Sequence, residues 1–288
     1  MTELYIDGTS VVLPADFSTS VKRENPFFTK NGEYTYDITL QLSNSINADL
    51  YEHLNRLNSI SELKNKRQAV LVADNRVYCN GTEIITGWTD TTVSIQIASG
   101  NSELNSFIGN DLLVSSLDMG EDEIPTGIVN NLVKRIYPDV DYCIPPVMTD
   151  TGIINGWRVA VTVVTTSQPT ISANYLRNTG VDIYLQPYLC AYIRRLMKAL
   201  GYTVLTNQLE DSEWNLLYLP QNGHPNQYAK MFPGWTINEL ITEFENLLNL
   251  CFLVNNRKKE VSILFKAEYF KNAQVCHVQQ VVDEYETE

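Results

Sequence analysis

Three histidines (His53, His224, His277) and five cysteines (Cys79, Cys143, Cys190, Cys251, Cys276) are the side chains best suited to nucleophilic or metal chemistry. Their spacing does not support it. No two histidines stand in an H-x-x-x-H pattern and no two cysteines in C-x-x-C, the arrangements that bring zinc ligands to one face. Cys276 and His277 are adjacent, but neighbours in a strand point to opposite faces, so a thiolate–imidazole pair needs a partner from elsewhere. Asp118, Glu121, Asp122 and Glu123 could hold a hard cation, yet they lack the D-x-D-x-D-G order of a calcium loop, and a solvated turn is the simpler reading. Asp139-Val140-Asp141 is read the same way. Neither G-x-x-x-x-G-K nor G-x-G-x-x-G is present to cradle a phosphate, and no G-x-S-x-G elbow is present. Trp88, Trp157, Trp214 and Trp235 could line a sugar groove, but they fall in strands or at a helix start and are expected in the core. The sequence thus predicts no catalytic residue, no metal ligand and no cofactor-binding residue.

Composition narrows the class. The formal charge is −13 over 288 residues. A free-standing nucleic-acid binder needs a basic face, so sequence-specific nucleic-acid binding is not expected. The basic groups Lys64-Asn65-Lys66-Arg67, Arg194-Arg195 and Arg257-Lys258-Lys259 read as solvated turns and helix faces. With 44% hydrophobic and 19% charged residues the chain can bury a core. No apolar run approaches the roughly 18 residues of a membrane helix. The start, MTELYIDGTS, lacks the basic and apolar regions of a secretory signal. A cytoplasmic origin is expected, with free and mostly buried thiols.

The elements that would position any site fall into an α+β pattern. Residues 1–100 read as a small β-barrel or sandwich with one helix: Asp7-Gly8 and Asn31-Gly32 are hairpin signals, and Tyr34, Tyr36, Ile38, Leu40 and Leu42 alternate. Asn44 or Asn47 is expected to cap a helix over Ala48–Leu57. Residues 101–180 form a mixed connecting segment, with a helical face at Ile128, Val129, Leu132, Val133 and Ile136 and a β-branched run at Trp157–Thr165. Residues 181–270 read as an α+β domain in which two helices pack on antiparallel strands. Pro187 is placed in the first turn of one helix, whose face is Leu189, Ile193, Leu196, Met197 and Leu200, and Gly201 supplies its left-handed stop. The other helix opens on Thr236 with Glu239 three residues later, a capping box, and leads into a hairpin. Leu240, Phe244, Leu247, Leu248, Phe252 and Val254 are expected as core. Residues 271–288 form a C-terminal tail that ends in the acidic stretch Asp283–Glu288.

The order of elements carries a resemblance. A helix ending in glycine (LCAYIRRLMKALGY, 189–202) precedes strands, and a capped helix (WTINELITEFENLLNLCFLV, 235–254) leads into a hairpin. Together with a β-rich N-terminal unit, this resembles the baseplate hub proteins at the tip of phage tails and related contractile injection systems. The stretch NPFFTKNGEYTYDITLQLSNSINADLYEHLNRLNS (25–59) also resembles tail proteins encoded in prophages of Bacteroidetes-like bacteria.

That resemblance implies a non-enzymatic structural protein that forms a ring, usually a trimer, linking tail tube to tip. Its partners would be itself and other tail-tube and baseplate proteins. It would reside in the bacterial cytoplasm during assembly and then in the virion tail tip. A charge of −13 suits the wall of a tube through which DNA passes. Hubs of this kind carry a second barrel after the hairpin. About 24 residues follow Leu264, too few for one, so either residues 101–180 contribute its strands, or the sequence is a piece of a longer chain, or the resemblance does not hold. Two other classes remain: a tail-associated cell-wall hydrolase or peptidase, which needs a carboxylate pair or a Cys–His pair in a pocket, and an exported surface-binding module of a gut-type bacterium.

Overall fold

The computed structural model describes residues 2–56, 67–123, 135–150, 152–155, 157–162, 170–176, 184–221 and 226–271. The helical face expected at 128–136 falls mostly on 124–134, outside the described residues, as do His224, Cys276, His277 and the tail from 272 onward. The fold is mixed α+β, with a large antiparallel sheet and six helices among the described residues.

The N-terminal unit begins with Thr2–Ile6 (β1) and Thr9–Val11 (β2), joined through Asp7 and Gly8 at φ 47° and 79°. Both positive φ values fit the turn whose twist matches a tight hairpin. Val21–Arg23 (β3), the single helical turn Pro26–Thr29 (α1), Glu33–Thr35 (β4), Ile38–Gln41 (β5) and helix Ser45–Leu50 (α2) follow. Gln68–Ala73 (β6), Arg76–Trp88 (β7) and Thr92–Ser99 (β8) complete it. The strands pair antiparallel in the order β2-β1-β6-β7-β8-β4-β3, and β5 shares with β4 the second edge of β8. Alternation sets the inner face: Leu4, Ile6, Leu40, Val93, Ile95 and Ile97 are fully buried, while their strand neighbours face out.

Among the described residues, no strand pairing closes this sheet into a barrel. Instead the buried side chain of Asn47 in α2 bridges the residue after β2 and the end of β5. It accepts from the Val12 amide at 3.0 Å and donates to the carbonyls of Val12 and Gln41 at 2.9 and 3.1 Å. The capping role falls to Asn44, whose side chain accepts from Ile46 N. Helix α2 is shorter than expected, because Glu52 and His53 take positive φ.

Helix Asn101–Ile108 (α3) leaves the first sheet and buries Leu104 and Ile108 in a second core, so the connecting segment opens with an element of the C-terminal unit. A 3₁₀ turn at Val114–Ser116 follows. Tyr142–Cys143 (β9) pairs with Gln186–Pro187 (β14). Val147–Thr149 (β10) with Gly152–Ile154 (β11), and Trp157–Thr162 (β12) with Thr170–Leu176 (β13), are separate two-stranded sheets.

Helix Leu189–Ala199 (α4) is followed by Thr203–Asn207 (β15), a 3₁₀ turn at Tyr228–Met231, helix Ile237–Leu248 (α5), Leu250–Asn255 (β16), Glu260–Phe265 (β17) and helix Lys266–Lys271 (α6). Pro187 lies in β14 rather than in the helix, and Tyr188 is the N-cap of α4. Gly201, at φ 86°, ends it in the left-handed region as expected. The capping box at Thr236 and Glu239 is complete, and Asn249 closes α5 in the left-handed region. The expected antiparallel strands need one correction: the sheet is mixed. β17 pairs antiparallel with β16 and parallel with β15, because the chain crosses through α5 between β15 and β16.

Leu240, Phe244 and Phe252 are core, and Leu248 and Val254 pack against it. Leu247 is 68% exposed. The buried stripe of α5 runs Ile237, Leu240, Ile241, Phe244, and the next position on that stripe is Leu248.

Candidate binding cleft

Among the described residues, the chemistry-capable side chains separate into ties and a cleft. His53 lies 3.3 Å from Asp49, four residues earlier in the chain, at the surface. The four described cysteines are free. Burial pushes the thiols of Cys79, Cys143, Cys190 and Cys251 up to about 12, so each is held protonated at neutral pH and is a poor nucleophile. No group of three or more His, Cys, Asp or Glu among the described residues could hold a metal ion. Trp88, Trp214 and Trp235, expected in the core, are partly exposed, and the core aromatics are instead tyrosine and phenylalanine: Tyr51, Tyr192, Tyr228, Phe252.

Two residues of the basic groups are structural. Arg67, expected on a solvated face, is buried. It donates to Glu83 at 2.6 Å and to the Leu50 carbonyl at 2.8 Å, and it stacks 4.6 Å from the centroid of Tyr51, whose hydroxyl also donates to Glu83. Burial, reinforced by that carboxylate, pushes the Tyr51 hydroxyl well above its ordinary range.

Arg195 draws in both weak acidic motifs. It donates to Asp141 at 2.7 Å and to Asp122 at 3.1 Å, and it lies 4.0 Å over the ring of Tyr228. Tyr228 donates to Asp122 at 2.6 Å, and burial together with that bond raises its hydroxyl far above the usual value. The acidic turn and Asp141 are therefore tied to α4 by one guanidinium. Both carboxylates serve as acceptors in that tie rather than as an acid–base pair.

The cleft lies between the two units. It encloses about 490 Å³, inside the range of about 300–1,000 Å³ usual for ligand sites. One wall is the β6–β7 pair, through Gln68, Asn80 and Thr82. The other is the β16–β17 turn, through Asn256, Arg257 and Lys259, and its floor holds Glu103 of α3 and Tyr202. Local sequence builds this turn. The Asn255 side chain accepts from the Lys258 amide, the Lys259 amide donates to the Asn256 carbonyl, and Lys259 takes φ 53°. Lys259 reaches Glu103 at 2.8 Å and lies 5.5 Å from the Tyr202 ring centroid. Burial, then the Glu103 charge, pushes the Tyr202 hydroxyl up to about 12. Arg257 is exposed and makes no ion pair among the described residues. Both polar atoms of the Asn256 side chain are buried and have no hydrogen-bond partner among the described residues.

Sequence reasoning singled out Arg257-Lys258-Lys259 as a solvated turn, and it did not single out Asn256 or Gln68. The readable signal was the Asn-Asn pair at the head of the turn. No family model, curated protein or solved structure matches the chain.

Proposed function

We propose that the chain is a non-enzymatic, hub-like structural component of a phage or prophage tail tip. It works as a ring of identical subunits, three in the simplest form, that links tail tube to tip. In this reading the N-terminal sheet takes the place of a hub's barrel domain, and the sheet of β15, β16 and β17 with α4 and α5 forms the outer unit.

The observation that carries the reading is the pair of hairpins, β10–β11 and β12–β13, which fall between the two units in the chain and pair with no other strand among the described residues. An isolated two-stranded hairpin is at best marginally stable in water. In β10–β11 the directly paired residues Met148 and Ile153 share one face and are 73% and 58% exposed. An apolar cross-strand pair of this kind is stabilised when another surface covers it. A ring of copies supplies such a surface at every subunit. The net charge of −13 is the second support, since a conduit for DNA works better with walls that repel phosphate.

The test is to induce the host that encodes the chain and label the released particles with antibody against it. Gold at the distal end of tails is expected, with tape-measure and tail-tube genes beside the coding gene. Label on the cell surface only, or a gene neighbourhood without tail genes, overturns the reading.

A further inference from the structure

The two most exposed large apolar side chains among the described residues are Met148 and Phe28, at 73% and 71%. Neither stands alone. Met148 is paired across the β10–β11 hairpin with Ile153, which is also exposed. Phe28 belongs to a group of rings built by two segments far apart in the chain. Phe27 of α1 stacks on Tyr269 of α6 with centroids 3.7 Å apart, Tyr269 meets Phe270 near edge-on at 5.4 Å, and Phe270 lies 5.6 Å from Phe28. The Asn25 side chain donates to the Tyr269 hydroxyl and ties the two segments again. Phe27 is buried and anchors the group, while Phe28, Tyr269 and Phe270 are left at the surface.

A subunit in a cyclic ring of three touches its two neighbours through two different surfaces, and each surface must fit the other. The hairpin face and the aromatic face are such a pair. Methionine sulfur packs favourably against aromatic rings, and methionine and aromatic residues are enriched at the centres of protein interfaces. Charge favours the same match. Copies of a chain at −13 repel one another, so a contact between them needs opposite charges placed locally. Asp150 is exposed at the turn of the hairpin. Lys266 stands four residues before Phe270 on α6, and residues at that spacing share a helix face.

We propose that the β10–β11 hairpin of one copy docks on the Phe28–Tyr269–Phe270 surface of the next copy. Met148 and Ile153 cover the rings, and Asp150 pairs with Lys266 at their edge. The occupant of each face is a second copy of this chain, and the contact is head-to-tail. The inference rests on the ring reading and names the contact that builds the ring.

The test is sedimentation velocity on the full chain with two variants, alone and mixed. Met148→Glu with Ile153→Glu spoils the hairpin face, and Phe28→Glu with Phe270→Glu spoils the aromatic face. All four side chains are exposed, so both variants are expected to keep the melting temperature. Each alone is expected to need about tenfold more protein than the unaltered chain to associate, or not to associate at all. An equimolar mixture is expected to regain association, but only as far as a pair, because it offers one intact hairpin and one intact aromatic face. If the aromatic variant does not fold, Asp150→Lys and Lys266→Glu take its place: each is expected to weaken association and the two together in one chain to restore it. A folded aromatic variant that associates like the unaltered chain overturns the proposal and leaves the ring reading standing. A mixture that stays monomeric, or charge changes that neither weaken association nor rescue one another, overturn it in the same way. An unaltered chain that stays monomeric at every concentration overturns both.

Discussion

Asn47 holds Val12 as a neighbouring strand would, through the amide and carbonyl of the same residue, and from there reaches the end of β5. The first sheet therefore curls until its far strands lie within one side chain of each other, without backbone pairing that closes it among the described residues.

Asn47→Ala is expected to destabilise the chain by about 2–4 kcal/mol in urea unfolding, because several bonds are lost and buried backbone groups are left unpaired. Asn44→Ala, which removes only the cap of α2, is expected to cost about 1 kcal/mol. Equal costs for the two would show that Asn47 does not bridge the sheet.

The Arg67–Glu83 pair is buried, so breaking one side is expected to be worse than removing both. Glu83→Gln should cost about 3–5 kcal/mol by leaving a buried guanidinium uncompensated. Arg67→Met combined with Glu83→Leu should recover much of that loss. A double-mutant cycle showing simple additivity would contradict the geometry.

Several features were legible in the sequence because they are local. The capping box needs only Thr236 and Glu239, three residues apart, and the end of α4 needs only Gly201. The alternation of Ile38, Leu40 and Leu42 likewise reads directly as an inner face. The ties were hidden because they are long-range. Arg195 meets residues 54 and 73 positions away, and Asn101 reaches 151. Nothing in the Arg194-Arg195 dipeptide distinguishes the arginine that packs under Asp122 from the one nearer solvent. Arg67 looked solvated because it ends a basic run, yet its side chain turns inward. Asparagine is common in turns, so the amides that clamp backbones resemble those that cap helices. The cleft was invisible for the same reason: its walls are more than 150 residues apart in the chain.

Gly120 sits at φ 73°, and a Cβ there would meet the Arg195 guanidinium at 3.1 Å. Gly120→Ala is expected to cost about 1–2 kcal/mol through the left-handed backbone alone. Hydrogen exchange should quicken in 118–123 and at β9. Arg195→Ala should loosen the same two segments, and exchange unchanged in both variants would mean that the tie does not hold them.

Alkaline pH should unfold the protein through its buried thiols and tyrosines. The folded values of Cys79, Cys143, Cys190 and Cys251 are raised, to about 12, above an ordinary value of about 8.5. The stability they contribute is therefore complete below about pH 8.5 and is lost as pH rises toward about 12. Tyr51, Tyr192 and Tyr228 are raised as well and act in the same direction above about pH 10. Melting temperature should hold near neutrality and fall steeply above about pH 9. The three buried thiols, Cys79, Cys190 and Cys251, should resist a disulfide reagent at pH 7.5 until denaturant is added, and rapid reaction of all three in the native protein would contradict their burial.

Sedimentation velocity of the full chain over a wide concentration range tests the central claim of a ring-forming structural protein most directly. The account predicts a concentration-dependent shift from a 32.7 kDa monomer to a species of three times that mass, weakened when Met148 and Ile153 are both changed to glutamate. A single monomeric boundary at the highest concentration, identical in the double variant, would contradict it.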